Sequence, residues 1–305
     1  MRISLMSRQR RLLATAVVLF ALALIATLGV GDLLSEPAPR LVGAAPADLA
    51  AEVVKIPYGQ DAWVAGWFVR GQPGAGSVLL LHGVHDDRRG MLHRARTLHA
   101  QGYTTLLIDL PAHGESSGDR ISFGYLEAAG VNAALGYLRQ RTPGNRIGVI
   151  GFSLGAASLV LAHPQPEPDA VVLESMFPTI TDAIRNRIAT HLGPLSVPLT
   201  PLLEWQIPLR LHFSSNLLRP IDALPSLHSN LLIMGGSLDP FTPARETEQV
   251  FQVAPQPKSL WLVRGAGHQD LYDYAPREYE ARVLPFLQEH LQAAPPTLMA
   301  QAFAP

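Results

Sequence analysis

Short, almost unbroken apolar runs recur at 77–81, 104–108, 147–150, 170–173, 231–234 and 259–263, and they constrain the fold of this chain more than any other feature of its sequence. Each is too short for a stable helix and lacks the alternation of a half-exposed strand, so each is expected to be a strand buried on both faces. Stretches of helical length at 91–101, 124–141, 154–162, 244–253 and 277–293 separate most of these runs or follow the last one. Strand alternating with helix implies a mostly parallel sheet covered by helices on both faces, with right-handed crossovers. Two earlier segments, 52–57 and 62–69, flank a Tyr58-Gly59-Gln60-Asp61 turn and are expected to form an antiparallel hairpin that opens the domain. In an open sheet of this type a ligand sits beyond the carboxyl ends of the strands, so reactive side chains should follow strands directly.

Three such positions stand out. The run 147–150 leads into Gly151-Phe152-Ser153-Leu154-Gly155 and then into an apolar helix. A Gly-x-Ser-x-Gly match carries weight in this strand, turn and helix setting. Gly151 and Gly155 allow a turn too tight for side chains, with Ser153 held in a strained backbone conformation. The hydroxyl then stands above the sheet at a helix N-terminus, where the peptide dipoles favour developing negative charge. Alone, a serine at such a junction is more often a helix cap. Two later strands shift the balance, because 231–234 runs into Gly235-Gly236-Ser237-Leu238-Asp239-Pro240 and 259–263 into Arg264-Gly265-Ala266-Gly267-His268. Singly, Asp239 reads as a turn residue and His268 as a loop histidine. Together with Ser153 they follow the order Ser, Asp, His that a nucleophile on this architecture requires, so Ser153, Asp239 and His268 are the expected catalytic triad. Glu174 also follows a strand, and it is read as a structural carboxylate because Asp239 occupies the more usual place.

On these motifs, residues 51–292 resemble the α/β-hydrolase superfamily. The resemblance implies its fold, a mostly parallel central sheet with helices on both faces and a small helical lid insertion, here at 177–224. Leu79-Leu80-Leu81-His82-Gly83-Val84 is similar to the His-Gly loop of that superfamily, which implies an oxyanion hole made by the N–H groups of Val84 and Leu154. Asp109-Leu110-Pro111-Ala112-His113-Gly114-Glu115-Ser116 resembles its Asp-x-x-Gly-His-Gly-x-Ser loop, with Ala112 in place of the first glycine. Leu173-Glu174-Ser175-Met176-Phe177, and His82-Gly83 followed by Asp87, Arg88 and Met91, look most like the lipase-like abhydrolase branch. Haloalkane dehalogenases differ, since they need an aspartate where this chain has Ser153.

The implied chemistry is cleavage of carboxylic ester or related acyl bonds, without metal or organic cofactor. Serine peptidase, thioesterase and acyltransferase activities are the enzymatic alternatives, and a hydrolase-fold binding protein is the non-enzymatic one. Trp205, Leu209, Leu211, Phe213 and Leu217 in the insertion are expected either to shape an apolar acyl pocket or to pack as ordinary core. Phe152, Trp205 and Phe213 are the named pocket candidates. His82 is expected to order its loop by hydrogen bonds. The loop His85-Asp86-Asp87 is expected to end in a helix cap rather than bind metal, since no further ligands occur at suitable spacing.

Residues 12–30 carry no charge and, as a helix, would span roughly 28 Å, close to the thickness of a bilayer core. Arg2, Arg8, Arg10 and Arg11 precede this segment and favour a cytoplasmic N-terminus, with the remainder on the periplasmic or extracellular side. A signal anchor over 1–31 is the first expectation, with a small acyl substrate, a lipid among the candidates, near the membrane. A cleaved signal and a secreted domain is the alternative, although such apolar regions are usually shorter. Residues 32–50, with Pro37, Pro39 and Pro46, are expected to be a linker, and 293–305 a disordered tail. With 24 basic and 25 acidic residues the chain shows no footprint for nucleic acid, and without cysteine it forms no disulfide or thiolate site.

Overall fold

The structure, a computed structural model, describes residues 2–292. The apolar runs and the opening hairpin form eight strands: β1 (Glu52–Gly59), β2 (Ala62–Val69), β3 (Ser77–Leu81), β4 (Thr104–Ile108), β5 (Ile147–Phe152), β6 (Ala170–Glu174), β7 (Asn230–Gly236) and β8 (Lys258–Val263). They make one sheet in the order β8-β7-β6-β5-β3-β4-β2-β1. Neighbours from β8 through β4 run parallel, and β2 is antiparallel to both β4 and β1. The chain leaves β3 for β4 on one side and returns to β5 on the other, so the strand order reverses beside the serine turn.

Successive strand side chains point to opposite faces, and this sorts the apolar residues into two cores. Leu79 and Leu81 pack with α3 (Glu127–Arg141) and α4 (Leu154–Leu161) on one face. Val78 and Leu80 pack with α2 (Leu92–Ala100) and the helix Pro276–Leu291 on the other. This is the α/β-hydrolase fold.

Between β6 and β7 the chain departs from strand and helix alternation. Thr179 caps α5 (Ile180–Leu192) by accepting from the N–H of Asp182, and α6 (Ser196–Glu204) and α7 (Gln206–Leu211) follow. Ile180, Ile184, Leu203, Ile207 and Leu211 give this insertion a small core of its own. Further upstream, α1 (Arg2–Ser35) is a single helix, with Leu12, Leu13, Val17, Val18, Phe20, Leu22 and Ile25 exposed and its C-terminal end packed against α6 and α7.

Residues 32–50, expected as an open linker, lie instead on the folded domain. Ala38–Pro39 pairs in parallel with His113–Gly114, the Glu115 carboxylate accepts from the N–H groups of Val42 and Gly43, and Val42 and Leu49 are buried. The segment has few apolar side chains, but a loop more than seventy residues downstream satisfies its backbone, which composition does not reveal. The expected tail at 293–305 lies outside the described residues.

Beneath the sheet's carboxyl edge, the fully buried Arg94 guanidinium lies 2.6 Å from Glu174 Oε2 and 2.6 Å from Asp270 Oδ2. The Tyr279 hydroxyl donates to the same Glu174 carboxylate, whose pKa burial pushes up while Arg94 pulls it back. Replacing Arg94 by Met leaves a buried carboxylate without its cation. Chemical denaturation should show a stability loss of roughly 3–5 kcal/mol.

Candidate active site

Ser153 sits between β5 and α4 with φ +50° and ψ −108°, outside the regions that side chains prefer. The turn is this tight because α4 starts directly over the sheet. A Cβ on Gly155 would lie 2.5 Å from the Leu81 carbonyl oxygen, and one on Gly151 would lie 2.7 Å from the Ala156 nitrogen. Both flanking positions therefore accept only glycine, as the sequence pattern requires. The Ser153 N–H is tied to the Glu174 carbonyl at the end of β6 at 2.8 Å, which fixes the turn from below.

Asp239 follows β7 and His268 follows β8, and the structure brings both to Ser153. The Asp239 carboxylate is buried, and its Oδ1 accepts from the Phe241 and Thr242 N–H groups at 2.8 Å each. Oδ2 lies 2.7 Å from His268 Nδ1. A carboxylate only accepts, so Nδ1 carries the proton and Nε2 offers its lone pair. That Nε2 is 3.2 Å from Ser153 Oγ, within reach of a hydroxyl donor. Phe152 and Phe241 flank the imidazole, each with its ring centroid 5.4 Å away. Glu174 faces the other way, into the Arg94 and Tyr279 network, and makes no contact with His268.

Val84, at the end of the β3 loop, and Leu154, the first residue of α4, line the same cavity as Ser153 and His268. Among the described residues neither of their N–H groups has a partner within the chain. The loop that carries Val84 is held from behind. The Leu110 N–H donates to His82 Nε2 at 3.0 Å, so His82 bears its proton on Nδ1, where it meets the Gly83 carbonyl at 2.7 Å. His113 stacks edgewise on His82, and Asp109 receives the Arg88 and Glu115 N–H groups while pairing with the buried Arg88 guanidinium. Ala112, where the related loop has glycine, adopts φ +62°. Asp87 caps the turn Arg88–Met91 by accepting from the Arg89 N–H.

The cavity beside Ser153 has a volume of about 510 Å³. Phe123, Phe177, Ile180, Ile184, Leu203, Ile207, Leu211 and Phe241 form most of its wall, and Leu33 and Leu34 of α1 complete it. Its charged lining consists of Arg187, stacked at 4.0 Å on the Phe241 ring, and Arg210, paired with Asp32. No aspartate or glutamate borders it among the described residues. Three sequence expectations fail here. Trp205 is exposed at the α6–α7 junction, Phe213 turns away to stack on Tyr125 at 4.4 Å, and Phe152 lies behind His268 and against Gly83. Of the other insertion residues expected there, Leu211 lines the cavity, whereas Leu209 and Leu217 are exposed. The missed residues had a signal, since Ile180 and Ile184, and Leu203, Ile207 and Leu211, recur at helical spacing.

The fold and this geometry define an α/β hydrolase. The model of the Hydrolase_4 family, described as serine aminopeptidase, S33, matches residues 72–224, and the chain belongs to that family. It is 30% identical over 227 residues to the uncharacterized protein Rv2307c of Mycobacterium tuberculosis, covering 70% of this chain and 74% of that one. It is 24% identical over 241 residues to the uncharacterized protein YqkD of Bacillus subtilis, covering 78% of each. Among solved structures, the esterase Pf2001 of Pyrococcus furiosus superposes with a TM-score of 0.69 at 23% identity, over 84% of this chain and 99% of that one. A thermophilic esterase from Thermogutta terrifontis gives 0.57 at 18% identity, over 79% and 100%. These structural likenesses extend the fold assignment.

Burial lowers the pKa of His82 to about 4. Burial and then the neighbouring His82 lower that of His113 to about 3. Both imidazoles are therefore neutral in the folded chain, whereas the unfolded chain takes up protons near pH 6.5. A depressed folded pKa gives stability that is present above the unfolded value and is lost as pH falls. The stability advantage of the wild type over His113→Asn should accordingly shrink below pH 6.5, by roughly 1.4 kcal/mol per unit until the folded histidine titrates. Urea titrations of both proteins across that range measure it, and a constant difference would show that His113 is not buried neutral.

Proposed function

We propose that this protein is a serine hydrolase that cleaves carboxylic esters or related acyl bonds through an acyl-enzyme on Ser153. The observation that supports it best is the relay Ser153 Oγ, His268 Nε2, His268 Nδ1 and Asp239 Oδ2 opening on an apolar cavity. Ser153 Oγ attacks the carbonyl carbon as His268 Nε2 takes its proton, and the carbonyl oxygen becomes an oxyanion facing the Val84 and Leu154 N–H groups. Asp239 stabilises the imidazolium. The tetrahedral species collapses, His268 returns the proton to the departing alkoxide, and water repeats the cycle to release the acid. Each donor to the oxyanion is worth about 3 kcal/mol in well-studied cases.

The family description favours a second reading, an aminopeptidase. Such an enzyme must hold a free α-ammonium group. Among the described residues no carboxylate borders the cavity to hold that cation, whereas Arg187 lines it, an arrangement suited to neutral or anionic acyl compounds. Residues 177–224 would act as the lid of this cavity, and 51–292 as the catalytic domain. Residues 1–31 would be a retained membrane anchor with the domain on the periplasmic or extracellular side. Support for the anchor comes from the exposed apolar side chains of α1 and the arginines before them, which suit lipid and the cytoplasmic face respectively. A cleaved signal would instead lose the α1 contacts to α6 and α7.

Ser153→Ala should abolish ester turnover and fluorophosphonate labelling in a protein that still unfolds cooperatively. Full labelling of that folded variant would move the nucleophile elsewhere. Asp239→Asn should lower kcat by about 10⁴-fold, the scale seen when a triad loses its acid, whereas Glu174→Gln should be far milder. The reverse order would reassign the acid to Glu174. In a paired assay, p-nitrophenyl esters should turn over and aminoacyl p-nitroanilides should not. Faster anilide cleavage would favour the peptidase.

A further inference from the structure

The wall of the cavity includes residues that have no part in the reaction. Gly31, Leu33, Leu34 and Ser35, the last turns of α1, line the cavity together with residues of α5. Their position is fixed by the rest of the molecule. Asp32 pairs with Arg210 of α7 and with Arg120, and the Ile121 N–H donates to the Ser35 carbonyl at 2.9 Å. Arg210 also donates to the Leu28 carbonyl, so α7 sits level with the point where the uncharged stretch of α1 ends. At 1.5 Å per residue, the stretch from Leu12 to Val30 is about as long as a hydrocarbon core is thick. If Leu12 starts at the inner boundary, Val30 reaches the outer one, and the helices packed beside Leu28 lie at that surface.

Those helices present apolar side chains outward. Leu192, Leu195, Val197, Trp205 and Leu209 are each more than half exposed, and the body of the insertion already packs on its own separate core. Such a concentration of large exposed apolar residues marks an interaction surface, and tryptophan is favoured where hydrocarbon meets water. The helices α6 and α7 that carry part of this patch pack against the C-terminal end of α1, whose exposed apolar side chains would face lipid. That packing favours the bilayer as the occupant.

We propose that the end of α1 is a wall of the acyl site as well as an anchor, and that α5, α6 and α7 rest in the outer face of the bilayer, so that a single acyl chain enters the cavity directly from lipid. The proposal rests on the reading of Ser153 as nucleophile and of α1 as a retained span. The substrate class is a membrane-resident acyl ester, whose chain the apolar cavity of about 510 Å³ is large enough to hold.

The test uses the full chain in phosphatidylcholine vesicles. Trp205 fluorescence, taken as the difference between wild type and Trp205→Phe, should be quenched by phosphatidylcholine brominated near the headgroup end of its chains. An unquenched Trp205 would overturn the docking. Leu34→Trp should lower kcat/KM for p-nitrophenyl decanoate at least about tenfold more than for the acetate. An unchanged ratio would remove α1 from the pocket. The double variant W205E/L209E should lower hydrolysis of a vesicle-borne monoacyl ester by roughly tenfold relative to soluble acetate. Equal losses on both would contradict entry from lipid. If Leu34→Trp does not fold, the quenching and the double variant still decide. Fluorophosphonate labelling and carbonate extraction, run alongside, score the nucleophile and the anchor separately, so failure of either can be told from failure of the lipid entrance.

Discussion

The close approach of α4 to the sheet at Ser153 is the constraint on which the site depends. A helix that begins over the ends of β3 and β5 leaves no space for a Cβ at Gly151 or Gly155 and drives Ser153 to φ +50°. Such a conformation is costly, and it persists because the surroundings over-determine it. The Ser153 N–H is held by β6, and α4 is a largely apolar helix buried against the sheet. Relaxing the turn would therefore expose core. The strain is the local cost of placing one hydroxyl above the carboxyl edge of the sheet, at the start of a helix.

Around that turn, two buried polar networks hold the neighbouring loops in position. Glu174, Arg94 and Tyr279 connect the end of β6 to Asp270, two residues past His268, and so brace the loop that delivers the imidazole. On the far side, His82, His113, Asp109 and Arg88 hold the loop that ends in Val84. Buried polar groups on this scale are costly when incomplete and rigid when complete. Rigidity is what a site needs if its donors are to be aligned before substrate arrives.

The parts legible in the sequence were those governed by short-range pattern. The strands announced themselves because burial on both faces produces continuous apolar runs, and every expected strand lies within an observed one or matches it. The meeting of Ser153, Asp239 and His268 was legible because each directly follows a strand and the parallel sheet gathers those strand ends at one edge. The pocket was not. Trp205 and Phe213 stand out in the sequence as large and aromatic, but the insertion folds as short helices, with Pro194 in the turn after α5 and Pro198, Pro201 and Pro208 within α6 and α7, and their facing cannot be read from composition. The smaller Ile180, Ile184 and Ile207 took the inner positions. The contribution of Leu33 and Leu34 was hidden more deeply, because it depends on Asp32 meeting Arg120 and Arg210 and on Ala38–Pro39 finding His113–Gly114. Pairings across such separations leave no local trace.

The proposed chemistry turns on a covalent bond at one oxygen atom, Ser153 Oγ. The most direct measurement is mass spectrometry of the full chain, mixed with a chromogenic ester, quenched in acid within the first turnover and digested for peptide mapping. One acyl group is expected, on the peptide containing Ser153, and it should disappear as turnover ends. An acyl group on another residue, or efficient hydrolysis without any acylated peptide under conditions that trap a known serine esterase, would contradict it.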